Sequence, residues 1–512
     1  MRHDILAITC ALALPAQAEP IFAPRDIAPH SYTGGWEFFV GGGLSSFDCN
    51  GDGLPELFAA GGEEPAQLFL NQSDDTLRFD PVESALALSG VTGSYPLDID
   101  SDGHMDLVVL RVGQNRIFRG AGACRFAEWQ GLTLPDDDSW TTAFSATWEA
   151  GQILPTLAFG NYVDRANSDG PFGTCAANAL YRPTGDTYGA PIELIPGFCA
   201  LSMLFSDWAR QGRADLRVSN DRHYYVRDGA EQLWAMDGTP RLYTEADGWM
   251  RHQLWGMGIA SQDIDGDGWP EVYLTSMGDQ RLQARDLAAD GPTYLDAPFD
   301  QGATAHRPYT GDDGRPSTGW HPAFGDTDND GLIDLFVTKG NVEQMPGSAM
   351  DDPNNLLLGQ PDATFVEGGL RAGIATMARS RGAVLSDLNG DGLLDIAVVN
   401  RGAPMELYQN ITPDAGGYLS IDLLQPGPNP RAVGAIVDLR VGDRLWSQER
   451  TIGGGHAGGS AGPLHFGLGE VQRVQITVHW PDGTRTQHED IPTNQGVTLT
   501  RPNAPPPGRW EP

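Results

Sequence analysis

The sequence predicts an all-β chain: a seven-bladed β-propeller followed by a small C-terminal β-sandwich or barrel. Three observations carry that prediction. A nine-residue acidic pattern recurs five times, each copy runs straight into a β-type segment, and the copies are spaced so that two degenerate units between them complete a set of seven. With 65 Gly and 37 Pro in 512 residues, the chain suits many short strands and turns better than long helices.

The chain opens MRHDILAITCALALPAQAEP, a charged start, an apolar run and a small-residue Ala-Gln-Ala site, which predicts a signal peptide over residues 1–18. No segment reaches the roughly 20 apolar residues of a membrane span, so none is expected. An exported protein is the expectation, whether periplasmic, cell-surface or extracellular. Cys49, Cys124, Cys175 and Cys199 then form an even set in an oxidising compartment. They are read as two disulfides, the local pairing being Cys49 with Cys124 and Cys175 with Cys199, with the other two connectivities and free buried thiols as alternatives.

Residues 19–412 are read as the propeller. Its acidic segments are DCNGDGLPE (48–56), DIDSDGHMD (98–106), DIDGDGWPE (263–271), DTDNDGLID (326–334) and DLNGDGLLD (387–395), followed by LFAA, LVVL, VYLT, LFVT and IAVV. Calcium takes about six to eight oxygen ligands at about 2.3–2.6 Å, and alternating carboxylates in a tight loop converge on one point. Positions 1, 3 and 5 are Asp48, Asn50 and Asp52; Asp98, Asp100 and Asp102; Asp263, Asp265 and Asp267; Asp326, Asp328 and Asp330; and Asp387, Asn389 and Asp391. Position 6 is Gly throughout. Position 7 can offer a backbone carbonyl from Leu54, His104, Trp269, Leu332 and Leu393, and position 9 closes the set with Glu56, Asp106, Glu271, Asp334 and Asp395. About five Ca2+ are therefore expected. An EF-hand is excluded, because the position where it needs a bidentate Glu holds Ala59, Val109, Leu274, Val337 or Val398. Eighteen of the 68 acidic residues sit in these loops, a crowding that bound cations would relieve.

The gap between the second and third loops is about three times the others. DWARQGRADLRV at 207–218 keeps Asp207, Gly212 and Asp215 but has Ala209 and Gln211 at ligand positions, and near 147–163 only the strand and its turn survive. Unit starts then fall near 48, 98, 148, 207, 263, 326 and 387. Seven such units with about four short strands each read as propeller blades. Blade seven runs only to MELYQN at 405–410, one strand short, so residues 20–25 are expected to add its outer strand beside 404–410 and close the ring.

Residues 413–502 form a second unit, with alternating apolar positions in YLSIDLL, AIVDLRV and RVQITVHW and a Pro481-Asp482-Gly483 turn. The Pro-rich tail, 503–512, is expected to be extended. Gly458–Gly462 around Ser460 imitates a nucleophile elbow, and Gly453, Gly455 and Gly458 a dinucleotide fingerprint, but no helix signal follows either. A flexible Gly-rich loop is expected there. His456, His465, His479 and His488 are read as surface or hairpin residues, and His306 and His321, beside the Gly-rich 311–319, as candidates for a pocket at the propeller mouth. Asn71 and Asn410 head glycosylation sequons.

The five loops resemble FG-GAP/VCBS repeats of the integrin α type, and GGYLSIDL, RAVGAIVDLRV, GGGHAGG and LHFGLGEVQRVQITVHWPDGTRT resemble the ASPIC/UnbV domain. The whole is similar to cartilage acidic protein and its bacterial relatives. The resemblance implies a propeller whose loops bind calcium between the first two strands of a blade.

A formal charge of −35 argues against nucleic acid and anionic membranes as partners. The function expected is recognition or adhesion by a monomer that contacts a protein or glycan ligand. The alternatives are an enzyme with its active site on the propeller axis, and a structural surface protein.

Overall fold

A computed structural model of the chain describes residues 18–130, 138–167, 173–221, 229–278, 280–304, 318–342 and 352–502. The signal peptide (save Ala18), the Pro-rich tail, His306 and most of the 311–319 loop lie outside the described residues.

Each acidic segment is the hairpin turn between a blade's first two strands. In blade one, Leu44–Phe47 pairs antiparallel with Glu56–Ala59, which pairs with Gln67–Asn71, which pairs with Phe79–Val82. Seven four-stranded sheets of this kind form. Their first strands, Leu44–Phe47, Val91–Leu97, Thr141–Thr147, Ala200–Ser206, Gly256–Gln262, Gly319–Gly325 and Ser380–Ser386, each touch the next, and the last touches the first. The sheets therefore close into a ring.

Close approach at the axis explains the small and hydroxylated residues of these inner strands. Ser45, Thr92, Thr142 and, from the second strands, Thr275 and Thr338 donate to backbone carbonyls of the next blade at 2.5–2.7 Å. Larger apolar side chains fill the space between blades, as Leu44, Phe47, Leu57, Leu107 and Val109 do between blades one and two. The ring is sealed as expected. Phe22–Arg25 pairs antiparallel with the third strand of blade seven, Phe22 opposite Asn410 and Arg25 opposite Leu407. This supplies the missing outer strand and covers an edge that would otherwise be open.

Past residue 416 the chain forms a sandwich. One sheet orders Leu464–Gly469, Gly417–Leu424 and Gln495–Thr500; the other orders Arg444–Glu449, Ile436–Val441, Arg473–His479 and Arg485–Pro492. The alternation read from the sequence is the burial pattern: Leu419, Ile421 and Leu423 from one sheet pack with Val437, Leu439, Val474, Ile476 and Val478 from the other. Between Trp480 and Thr484 the expected turn forms, with Gly483 at φ +82°.

The Gly-rich segment is no flexible loop. It leaves the sandwich and runs through the propeller axis, bridging the inner strands of blades one to five: Ser460 to Ser46, Gly458 to Ser94, Ile452 to Ala146, Gly453 to Leu204 and Gly455 to Ile259. Glycine is required because backbone meets backbone; a Cβ on Gly458 would lie 2.2 Å from the Leu44 carbonyl oxygen, and one on Gly93 would lie 1.8 Å from that of Ala457. His456, expected at the surface, is fully buried here. Its Nε2 accepts from the Gly41 N–H, which leaves Nδ1 to donate to the Met257 carbonyl. The two disulfides are Cys49–Cys124 and Cys175–Cys199, the local pairing, so the reading of free thiols is overturned.

Candidate metal loops

The backbone of each loop is set by two left-handed residues. Position 6 is Gly53, Gly103, Gly268, Gly331 or Gly392, at φ +88° to +91°. Position 4, to which the sequence reading assigned no role, is Gly51, Ser101, Gly266, Asn329 or Gly390, also at positive φ. The signal was present, since only Gly, Ser and Asn occur there, and Asn and Gly tolerate this region. In consequence the position-6 N–H donates to the position-1 carboxylate of Asp48, Asp98, Asp263, Asp326 and Asp387 at 2.7–3.0 Å. Likewise the N–H of Leu54, His104, Trp269, Leu332 and Leu393 donates to the position-5 carboxylate of Asp52, Asp102, Asp267, Asp330 and Asp391.

Position 9 fastens the loop to its blade. The position-2 N–H donates to Glu56, Asp106, Glu271, Asp334 and Asp395 at 2.8–3.0 Å. Asp106, Asp334 and Asp395 also accept from the third strand, through the N–H of Gly120, Gly359 and Asn410. Three loops bring carboxylate oxygens within 4.8 Å of one another: Asp98, Asp100 and Asp106; Asp263, Asp265 and Glu271; Asp326, Asp328 and Asp334. In blades one and seven the position-3 amide nitrogen, not its oxygen, faces the carboxylates, Asn50 donating to Asp52 and Glu56 and Asn389 to Asp391. A metal there requires the amide to turn over.

Burial works against ionisation of these groups. It pushes the Asp106 carboxyl up to about 8 and Glu271 up to about 9, and like-charged neighbours push the same way. Asp326, Asp328 and Asp334 are raised first by burial and then by neighbouring carboxylates, Asp326 by Asp334, Asp328 by Asp330 and Asp334 by Asp328. Oxygen-only clusters that are largely buried and mutually repelling fit a hard divalent cation, which would hold them ionised.

Blade four shows the alternative. Asp207 keeps the Gly212 bond, but Asp215, at position 9, accepts from Trp208 Nε1, the Tyr243 hydroxyl and the Met236 N–H, all at 2.9 Å. The protein's own donors saturate the carboxylate. At position 4 of this loop, Arg210 reaches Asp438 and Ser447 of the sandwich.

That contact belongs to a wider interface, because the sandwich sits on the propeller face that carries the loops. Asp328 and Asn329 accept backbone bonds from Gly416 and Gly469, Trp446 Nε1 donates to the Gly331 carbonyl, and Asn429 N–H donates to Ser101. Ser206 and the Asp207 N–H both donate to Glu449. Within the channel His321 accepts the His456 N–H through Nδ1, and burial holds the ring neutral, with its pKa lowered to about 4. Backbone of the Gly-rich segment fills this part of the axis, and His321 is part of that packing. The sequon residues are buried too: Asn71 Nδ2 donates to the Pro55 and Leu388 carbonyls, and Asn410 Nδ2 to those of Thr327 and Leu394.

No curated protein matches this chain significantly. Among solved structures it is similar to BBS1N in complex with ARL6DN, at 11% identity over 78% of this chain and 99% of that one, with a TM-score of 0.48. It is also similar to a lectin from Burkholderia pseudomallei, at 11% identity over 73% and 100% of the two chains, with a TM-score of 0.42. Residues 48–109 match the FG-GAP-like repeat, and residues 425–506 match the family described as ASPIC and UnbV. The chain therefore carries an FG-GAP-like repeat across its first two blades and, at its C-terminal end, an ASPIC and UnbV domain.

Proposed function

We propose that this is an exported calcium-binding recognition or adhesion protein, with a signal peptide at 1–18, the propeller at 19–412 and the ASPIC/UnbV unit at 413–502. Calcium, at about five ions per chain, rigidifies the loops on which the sandwich rests. The observation that carries the reading is the convergence of carboxylates in three loops, within 4.8 Å of one another, with positions 1 and 9 buried in each. Two disulfides and the absence, among the described residues, of a helix long and apolar enough to cross a membrane support export.

The loop face is covered by the sandwich, so a protein or glycan partner is met at the opposite mouth. There half-buried Trp36 and Phe39 sit with Trp140, Tyr162 and Trp320, the rings of Trp36 and Trp140 4.9 Å apart edge to face. The accessible parts of Trp36 and Phe39, backed by the buried rings of Trp140, Tyr162 and Trp320, suit recognition. Metal analysis of the dialysed protein should give about five calcium ions, and chelation should lower the melting midpoint by linkage. Asp265→Ala should lose one ion, and Asp207→Ala none. A calcium-free protein whose melting ignores chelator would refute the proposal.

A further inference from the structure

The five loops are not equally open to water. In blades one, two, five and seven the position-5 residue, Asp52, Asp102, Asp267 or Asp391, is exposed. In blade six Asp330 is half-buried, and the three converging carboxylates, Asp326, Asp328 and Asp334, are only 1%, 5% and 3% exposed. Position 3 makes the difference plainest, since Asp100 is half-buried and Asp265 exposed where Asp328 is buried.

The sandwich covers the blade-six loop, and it does so with bare backbone. A Cβ on Gly467 would lie 1.9 Å from Asp326 Oδ2, and one on Gly416 would lie 1.9 Å from the Asn329 carbonyl oxygen, so neither position admits a side chain. Hydrogen bonds hold this cover down. The Gly416 and Gly469 N–H groups donate to the Asp328 and Asn329 carbonyls at 2.9 and 2.7 Å, and Trp446 Nε1 donates to that of Gly331 at 3.0 Å. Asn329 Nδ2 donates to the Gly392 carbonyl of blade seven, which leaves its Oδ1 to accept from His465 Nε2 at 2.9 Å. From the propeller side, the Thr327 hydroxyl and the Gly359 N–H donate to Asp334.

Three of the other loops border open space. Between the propeller and the sandwich lies a cavity of about 590 Å³, lined among others by Asp48, Asp98 and Asp387, the position-1 residues of blades one, two and seven. Its wall takes in Phe324 and Gly325 but none of residues 326–334. The corresponding residue of blade six, Asp326, is pressed against backbone instead.

We propose that the blade-six loop is a sealed cell, whose calcium ion exchanges with solvent only when the sandwich lifts, whereas the ions of the other loops exchange freely. The inference rests on the calcium reading of the loops and divides their ions into one that is fixed and others that come and go. The effect is mutual: carboxylates left bare beneath the cover repel one another, so an ion trapped by the sandwich also holds the sandwich down.

The test loads the mature protein with radiolabelled calcium and follows the loss of label into excess unlabelled calcium. Label should leave in two phases, one ion per chain departing about tenfold or more slower than the rest, because the bonds that hold the cover must open together. Asp328→Ala should abolish the slow phase, while Asp265→Ala should remove one fast ion and leave the slow phase in place. Trp446→Phe removes the bond to the Gly331 carbonyl, and Asn329→Ser installs the residue that blade two carries at this position. Each should keep the ion count and speed the slow phase about three- to tenfold, on the scale of a lost hydrogen bond. A single phase for all bound ions, a slow phase that survives Asp328→Ala, or one that neither cover variant speeds would overturn the proposal while the calcium reading stands. A protein that takes up no label fails that reading, and the sealed cell with it.

Discussion

Each acidic residue of a loop has its own task, and protonation reveals it. Burial raises Asp106 from 3.8 to about 8 and Glu271 from 4.5 to about 9. In the ion-free protein these groups hold protons more tightly folded than unfolded. Their contribution is complete below the ordinary carboxylate range and is lost as pH rises through about 8 to 9. A divalent cation needs the ionised form, so the contribution of the proposed calcium would grow over the same window. In chelator the melting midpoint should therefore fall between about pH 5 and pH 9, and saturating calcium should suppress the fall. A chelated protein that gains stability across that range would contradict the assignment. The position-9 residue has a second duty, visible in blade four: Asp215 persists without a ligand set because it fastens loop to third strand through the Met236 N–H.

At the scale of elements, the strand Phe22–Arg25 is the clearest case of sequence separated from its partner. Phe22 is 4% exposed and packs with Phe336, Ile396, Val398 and Tyr408, between blades six and seven. Phe22→Ala should cost about 3–5 kcal/mol in urea unfolding, while the exposed Ile21 replaced by Ala should change stability by less than about 0.5 kcal/mol. Equal effects would mean that the strand does not seal the ring. This closure was legible in the sequence because blade seven was a strand short, as the loops were legible from their fixed spacing. The axial segment 451–462 was not. Its composition is that of any glycine-rich loop, and what distinguishes it is what it meets, strands several hundred positions away such as Ser46 opposite Ser460.

For the whole molecule, loops and sandwich form one mechanical unit. The carbonyls of Asp328 and Asn329 accept from Gly416 and Gly469, so the same loop that gathers the carboxylates also holds the sandwich. Chelation should then accelerate hydrogen exchange at the Gly416 and Gly469 amides before it touches the inner strands Val91–Leu97 and Thr141–Thr147, whose residues are all buried. Simultaneous exchange of all these amides would show that the ions stabilise the ring as a whole and not its seat for the sandwich.

The axial segment also governs the order of assembly. Arg25 bonds Gln409 across 384 residues, and Ser46 bonds Ser460 across 414. Closing such long loops is entropically costly, and contacts this remote form slowly. While the chain is being made, the first blade therefore stands with one of its neighbours, blade seven, missing. The ring can be shut only once blade seven exists, and its axis can be threaded only after the first three strands of the sandwich have been synthesised. The axial segment 451–462 acts as the bolt that is drawn when the ring is complete.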